Sequence, residues 1–525
     1  MRSIPSPLPA ARSNTLATAL ALGALLAAGC AAQPAKPDAA PGAPVSVNTA
    51  SAATVTAPAP AKGRSILLQP WTGPYGGVPP FGRFAVSEIK AALEEGIAGN
   101  LADVEAIAVD PAPPTFENTI VALERAGQPL NRAASVYNVF TGTMSDDALQ
   151  AIERELAPKF AAMGDAINQN VRLFRRIAAL YDARATLALN AEQQRLLWLN
   201  YTNFARQGAR LDAAAKLKLS EYNQRLASLY TNFSQNVLAE EGTQLVLLED
   251  EKDLAGLSAS QREAAAAAAT SRSHAGKWAV LNTRSSVDPF LTWSARRDLR
   301  EKVWKMFKSR GDNRDAHDNA AVISEILALR ARRAKLLGYA THAHWQLEQA
   351  MAKTPERAIA LMEAVWKPAV ARVREEVADM QAIADQEAGG KGKGPKIAPW
   401  DYRYYAEKVR IAKYDLDQND VKPYLQLEKL REGMFFVAGE LFGLKFVPIT
   451  DGSVPVYHPD VRVWQVTDAK GAHVGLWYFD PYARPGKTSG AWMNEYRAQS
   501  RYDGAITVIV SNNANFIKEI GRAHV

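Results

Sequence analysis

Seven histidines have the chemistry to hold a metal or move a proton in this 525-residue sequence: His274, His317, His342, His344, His458, His473 and His524. The single cysteine, Cys30, excludes an intramolecular disulfide and a thiolate cluster, so a metal site must be built from His and carboxylates. Zinc hydrolysis is compactly encoded as H-E-x-x-H, because two His at i and i+4 leave one helical face and the intervening Glu serves as base. None of the seven lies in such a sequence. His342 and His344 are two apart and diverge on a helix, while His344 and Glu348 have i, i+4 spacing without a third ligand nearby. In Tyr457-His458-Pro459-Asp460, His458 and Asp460 are expected to share a strand face. Packing or surface roles are favoured over ligation for both pairs. No G-x-S-x-G elbow is present, and residues 389–394 are glycine-rich without the Ser or Thr and the preceding strand that a phosphate cradle needs. Glu94-Glu95 and Glu240-Glu241 read as solvated faces of amphipathic helices. The residues alone disclose no catalytic centre.

The elements that would position a site are mostly helical. Ile89, Leu93, Ile97, Leu101, Val104 and Ile107 recur at three or four residues and predict one buried stripe over residues 87–107. Pro113-Pro114 followed by Thr115 as N-cap, with Gly127 as a C-terminal stop, brackets a second helix. Leu226, Leu229, Tyr230, Phe233 and Val237 form another stripe. Thr354-Pro355-Glu356 is a helix start from which Ile359, Met362 and Trp366 are expected to face inward. Residues 264–269 are alanine-rich helix, and residues 389–396 an exposed loop. After residue 441 short β-branched and aromatic runs, 446–449, 461–466, 474–479 and 506–510, predict a small late sheet, with Asp468-Ala469-Lys470-Gly471 as a hairpin turn. Hydrophobic residues at 47% and charged residues at 22% fit a folded chain, whose length suggests about three folding units. A net charge of +7 that is not gathered into one block argues against nucleic acid as a partner.

The beginning reads as an address. Arg2 and Arg12 precede an apolar run over 16–28, too short to span a bilayer, and Ala27-Ala28-Gly29 offers small residues for cleavage directly before Cys30. This resembles a bacterial lipoprotein signal over residues 1–29, which implies acylation of Cys30 as a membrane anchor. An ordinary secretory signal leaving a free thiol is the alternative. Residues 30–63, rich in Ala and Pro, read as a flexible tether. The expected location is the bacterial cell envelope, lipid-anchored, with Ala31 favouring the outer membrane facing the periplasm.

Several phrases carry a family resemblance. Pro70-Trp71, Val78-Pro79-Pro80-Phe81, Pro113-Pro114-Thr115-Phe116-Glu117-Asn118-Thr119 and Phe233-Ser234-Gln235-Asn236-Val237-Leu238 come first. Leu337-Gly338-Tyr339-Ala340-Thr341, Met351-Ala352-Lys353-Thr354-Pro355, Trp400-Asp401-Tyr402 and Tyr457-His458-Pro459-Asp460-Val461-Arg462 follow. Together they resemble the M3 (thimet oligopeptidase) family of zinc metallopeptidases, most of all its peptidyl-dipeptidase branch, from about residue 65 to Lys518. The resemblance implies a mainly α, elongated multi-helix fold with a central channel and a small β-sheet near the C-terminal end. It implies zinc as cofactor, short unstructured peptides as substrates, a monomer, and release of C-terminal dipeptides. Residues 64–285 would be the N-terminal helical domain and 286–518 an incomplete catalytic domain. In the family an H-E-x-x-H helix, a later Glu ligand and oxyanion-stabilising His and Tyr follow the strand and the Asn512, Asn513, Asn515 and Phe516 that match here.

No metal ligand or catalytic residue is therefore expected within the sequence as written, and it is expected to be inactive. Residues 519–525 resemble the translation of a common sequencing adapter and are expected to be non-native, with a genuine end as the alternative. Lys487-Thr488-Ser489-Gly490-Ala491-Trp492-Met493 resembles the family's strand beside the cleft, which marks Gly490, Ala491 and Trp492 as substrate-binding candidates. In the competing reading Trp492 simply packs the core. A noncatalytic, lipid-anchored peptide-binding protein is the runner-up function, and a tethered helical scaffold the third.

Overall fold

Helical periodicity from residue 65 onward is what the chain builds in its structure, a computed structural model that describes residues 63–517 apart from 416, 417 and 502. The signal, Cys30, nearly all of the tether, Lys518, and residues 519–525 with His524 lie outside the described residues. Helix α1 (Val86–Val109) is followed by a π-helical turn, Phe116–Val121, that runs into α2 (Ala122–Arg125). Next come α3 (Gln128–Thr143), α4 (Asp147–Asn168), α5 (Val171–Asp182), α6 (Ala191–Arg206) and α7 (Ala213–Thr243). Strands β1 (Leu245–Leu248) and β2 (Trp278–Leu281) pair antiparallel and flank α8 (Ala259–Thr270). The helical run resumes with α9 (Arg284–Trp293), α10 (Arg297–Lys308), α11 (Ala320–Leu336), α12 (His342–Leu347) and α13 (Pro355–Glu387). It ends with α14 (Tyr402–Tyr414), α15 (Gln418–Val421) and α16 (Leu427–Phe442). The boundary expected between 285 and 286 falls in the first turn of α9.

Among the described residues the late sheet has five strands: β3 (Lys445–Ile449), β4 (Arg462–Thr467), β5 (His473–Tyr482), β6 (Trp492–Arg497) and β7 (Val508–Phe516). Their order is β3-β4-β5-β7-β6, antiparallel except for the parallel β5/β7 pair. The expected turn at 468–471 closes the β4/β5 hairpin. Asp468 accepts from the Lys470 and Ala472 amides, and Gly471 takes φ +86°, a conformation only glycine adopts freely.

Burial follows from the two periodicities. On β5, Leu476 and Tyr478 face one way, against α1, α3 and α4, whereas Trp477 and Phe479 face the other way with α16. A central strand covered on both faces has no polar side, which is why this run reads as continuously apolar. Phe81, from the Val78-Pro79-Pro80-Phe81 phrase, sits at the centre of the first core. Its ring lies 5.2 Å from Tyr457, 5.9 Å from Tyr496, 6.2 Å from Tyr478 and 6.3 Å from Phe140. Burying such a ring contributes about 1.5–3 kcal/mol, before its edge-to-face contacts are counted. Early helices and late strands thereby share one core.

The caps behave as expected. Thr115 accepts from the Asn118 amide at 3.0 Å, Thr354 from Arg357 at 3.4 Å, and Gly127 takes φ +71°. Three expectations fail. Ile359, Met362 and Trp366 do not face inward: Trp366 is 71% exposed, and only Met380 and Ala384 of α13 are buried, where α14 lies across it. Periodicity reports that a helix has an apolar face, not that a partner covers it. Likewise α16 packs Leu427 and Phe435 on the sheet while Leu430, Met434, Val437 and Leu441 stand exposed. Glu240 and Glu241 are buried rather than solvated, at 1% and 8% exposure. Glu240 accepts from the Gly311 amide and Asn313, and Glu241 pairs with Arg310, so the segment after α10 replaces their water. His458 and Asp460 occupy the turn before β4, not a strand.

Candidate functional site

The segment between β5 and β6 runs from Ala483 to Ala491 and holds two of the three substrate-binding candidates. The strand expected at 487–493 starts only at Trp492, so Gly490 and Ala491 lie in the connection that feeds it. Both are exposed, and Gly490 has φ +107° with open space where a Cβ would be. Trp492 satisfies neither earlier reading fully. It is half-buried, its Nε1 donates to Asn494 Oδ1 at 2.7 Å, and its ring lies over Gly142 at the end of α3. Strand β6 is the outer strand of the sheet, paired only with β7 among the described residues, with Met493 and Glu495 projecting into solvent.

What holds this connection in place is a buried ionic cluster that the sequence reading did not single out. Asp480, fully buried at the end of β5, accepts from both terminal nitrogens of Arg484 at 2.8 and 2.7 Å. It also accepts from Lys487 Nζ at 2.8 Å and the Tyr457 hydroxyl at 2.8 Å. Lys487, 4% exposed, donates further to the carbonyls of Asp480 at 3.0 Å and Tyr482 at 2.8 Å, so three acceptors meet its three protons. Burial pushes the Asp480 carboxyl up, but Arg484 and Lys487 outweigh it and hold the group below the usual carboxylate range. Burial brings Lys487 down to about 8, with the Arg484 charge adding to the lowering and Asp480 opposing it. Burial, with Tyr496 and Asp480 nearby, raises the Tyr457 hydroxyl, which stays protonated and donates.

A second clamp comes from β7. Asn515 Nδ2 donates to the carbonyls of Thr488 at 2.9 Å and Gly490 at 2.6 Å. Asn513 Nδ2 reaches Asn494 at 2.9 Å, and Asn512 accepts from Trp477 Nε1 at 2.7 Å. Asparagine is depleted in strands, so a run of three at 512–515 was the readable signal that side chains there are occupied by hydrogen bonds.

The histidines are scattered. His274 lies in the exposed turn after α8, and the His473 ring lies tilted against Tyr75, 5.1 Å between centroids. His344 contacts Thr341 at 2.8 Å, whereas Glu348 binds Arg206 and Tyr339, so the i, i+4 pair does not converge. Among the described residues no group of three or more His, Cys, Asp or Glu is arranged to hold a metal ion. The described residues therefore do not fit the zinc that the resemblance implies.

His342 is of a different kind. Burial, then Arg333 and Arg330, bring it down to about 4 from the ordinary 6.5. The unfolded chain binds its proton first, so its stabilising contribution is full above 6.5 and is lost as pH falls toward 4. His342→Gln is expected to flatten the pH dependence of the melting temperature in that window and leave it unchanged above pH 7. An unchanged slope would refute this account.

Residues 290–519 match the sequence pattern of Peptidase family M3. The chain is 36% identical over 441 residues to "Dipeptidyl carboxypeptidase" of Escherichia coli (strain K12), covering 84% of this chain and 64% of that protein. It is 35% identical over 443 residues to the protein of the same name from Salmonella typhimurium, with the same coverage of 84% and 64%. "Oligopeptidase A" of Salmonella typhimurium is 29% identical over 428 residues, 81% of this chain and 62% of that protein. The chain thus spans less than two thirds of the length of these curated relatives. The match over 290–519 and the similarity to these relatives over most of the chain lead to one conclusion: residues 290–519 carry a Peptidase family M3 domain.

Proposed function

We propose that this protein binds short, extended peptides along the outer edge of β6 and the exposed backbone at Gly490 and Ala491, as part of a zinc-dependent peptidyl-dipeptidase. The observation that carries the reading is the 36% identity to a protein named dipeptidyl carboxypeptidase, together with an outer strand whose entry segment is tied down on both sides. An unpaired strand edge offers a peptide main-chain hydrogen bonds in register, and rigid backbone lowers the entropy cost of forming them. The metal and the groups that act on the scissile bond belong, in this proposal, to family sequence that this chain does not match. The sequence of residues 1–30 supports a further part of the reading, secretion to the bacterial envelope and anchoring through acylated Cys30; that the mature protein acts as a monomer belongs to the proposal through the family resemblance alone.

The test uses the full 525-residue chain and a blocked peptide of about six residues. Binding is expected to shift the tryptophan fluorescence, with the share of Trp492 among the eleven tryptophans read as the difference from Trp492→Phe, and no hydrolysis is expected whether or not zinc is added. Chelator-sensitive cleavage would overturn the claim of inactivity, and absence of binding would overturn the peptide site.

A further inference from the structure

The connection 483–491 should be costly to order. It contains Pro485, Gly486 and Gly490, has no helix or strand beyond one turn at 485–486, and fixing each residue's backbone costs about 1–2 kcal/mol. Its anchors nonetheless converge on one side. Arg484 Nε donates to Thr143 O at 2.9 Å, Ser145 N donates to Gly486 O at 2.9 Å, and Thr488 N donates to Gly142 O at 3.0 Å. These three bonds lash the segment to the C-terminal end of α3. Arg484 and Lys487, the two long side chains of the segment that turn inward, both end on Asp480.

We propose that Asp480 is a positioning residue: through Arg484 and Lys487 it holds residues 484–491 against α3 and so fixes the backbone that Gly490 and Ala491 present to a peptide. The inference rests on the peptide-binding reading above. Asp480 has no surface of its own, and of its side-chain partners Arg484, Lys487 and Tyr457 only the two cations belong to the connection, so it reaches Gly490 and Ala491 through them. Without its carboxylate the two buried cations have no shared counter-ion, and each is drawn toward water. The sheet does not depend on this arrangement, because β5/β7 and β6/β7 are joined by their own backbone ladders. Loss of Asp480 should therefore free the connection before it disturbs the strands.

Hydrogen exchange on the full-length Asp480→Asn chain reads this directly. The variant keeps the shape and one acceptor but loses the charge. The amides of Ser145, Lys487 and Thr488 are expected to exchange about tenfold faster or more, and those of Leu476 and Ile509 to change less than about twofold, a tenfold ratio being about 1.4 kcal/mol. Peptide affinity should fall by a similar factor. Uniform acceleration at all five amides would show a merely structural role, and unchanged exchange at the first three would refute the anchor. If Asp480→Asn does not fold, Lys487→Met carries the same test, since it leaves Asp480 paired with Arg484. A wild-type chain that binds no peptide sinks the peptide reading and with it the positioning claim, while the exchange pattern separately decides whether Asp480 anchors the segment.

Discussion

Asp401→Ala is expected to lower the unfolding free energy by about 3–5 kcal/mol, the cost of breaking a buried ion pair from one side. Asp401 has no solvent exposure and caps the space between α10 and the start of α14. It accepts from Arg300 Nη2 at 2.8 Å, from Arg297 Nη2 at 2.8 Å and from the Ala398 amide at 3.1 Å. Arg300, at 1% exposure, also donates to the carbonyls of Ser294 at 2.7 Å and Trp400 at 3.3 Å, and stacks on Tyr404 at 4.1 Å. Removing the carboxylate strands that guanidinium in the interior. The double variant Asp401→Ala with Arg300→Met should recover part of the loss, because no unpaired charge then remains. Urea denaturation followed by helical circular dichroism measures both. A single-variant loss below about 1 kcal/mol would place this pair among surface ion pairs and refute its buried role.

This prediction explains why Trp400-Asp401-Tyr402 marks the family so well in sequence while announcing nothing about structure. A short run of aromatic and acidic residues is distinctive, but its partners lie about a hundred positions earlier, on α10. The same holds for Asp480 and its neighbours, and for Glu240 and Glu241. Composition assigns charges to the surface because isolated burial is prohibitive, and it cannot see that a distant arginine or an amide removes the penalty. Helices were legible because side chains three and four apart share a face within one element, so α1 and α7 emerge from local spacing alone. The late sheet was legible as short apolar runs, but not its order, since the parallel β5/β7 pair joins segments separated by β6. Of the candidate site, Gly490, Ala491 and Trp492 were located by resemblance. The anchors beneath them needed coordinates, because Thr143 and Arg484 are 341 positions apart. The exposed stripe of α13 shows the complementary failure, where a correct local pattern was given a partner that the described residues do not contain.

Gly486→Ala should abolish peptide binding and destabilise the chain, whereas Gly490→Ala, four residues later in the same connection, should lower the stability much less. Gly486 has φ +76°, and a Cβ there would lie 2.2 Å from the Ser145 carbonyl oxygen and 3.0 Å from its carbon. Neither atom is the end of a flexible side chain, so the backbones must separate and the Ser145 amide loses the Gly486 carbonyl. The left-handed conformation costs about 1–2 kcal/mol for a residue with a Cβ, and forced overpacking typically adds about 1–3 kcal/mol. Gly490 carries only the first cost, because nothing lies within 4 Å of its missing Cβ. Comparing the melting temperatures of the two variants isolates the close approach of 486 to 145 from the backbone strain that both share. Equal effects would mean that contact with the end of α3 is irrelevant to the site. The expected inequality would mean that an early helix, outside residues 290–519 in sequence, sets where the peptide-facing backbone stands.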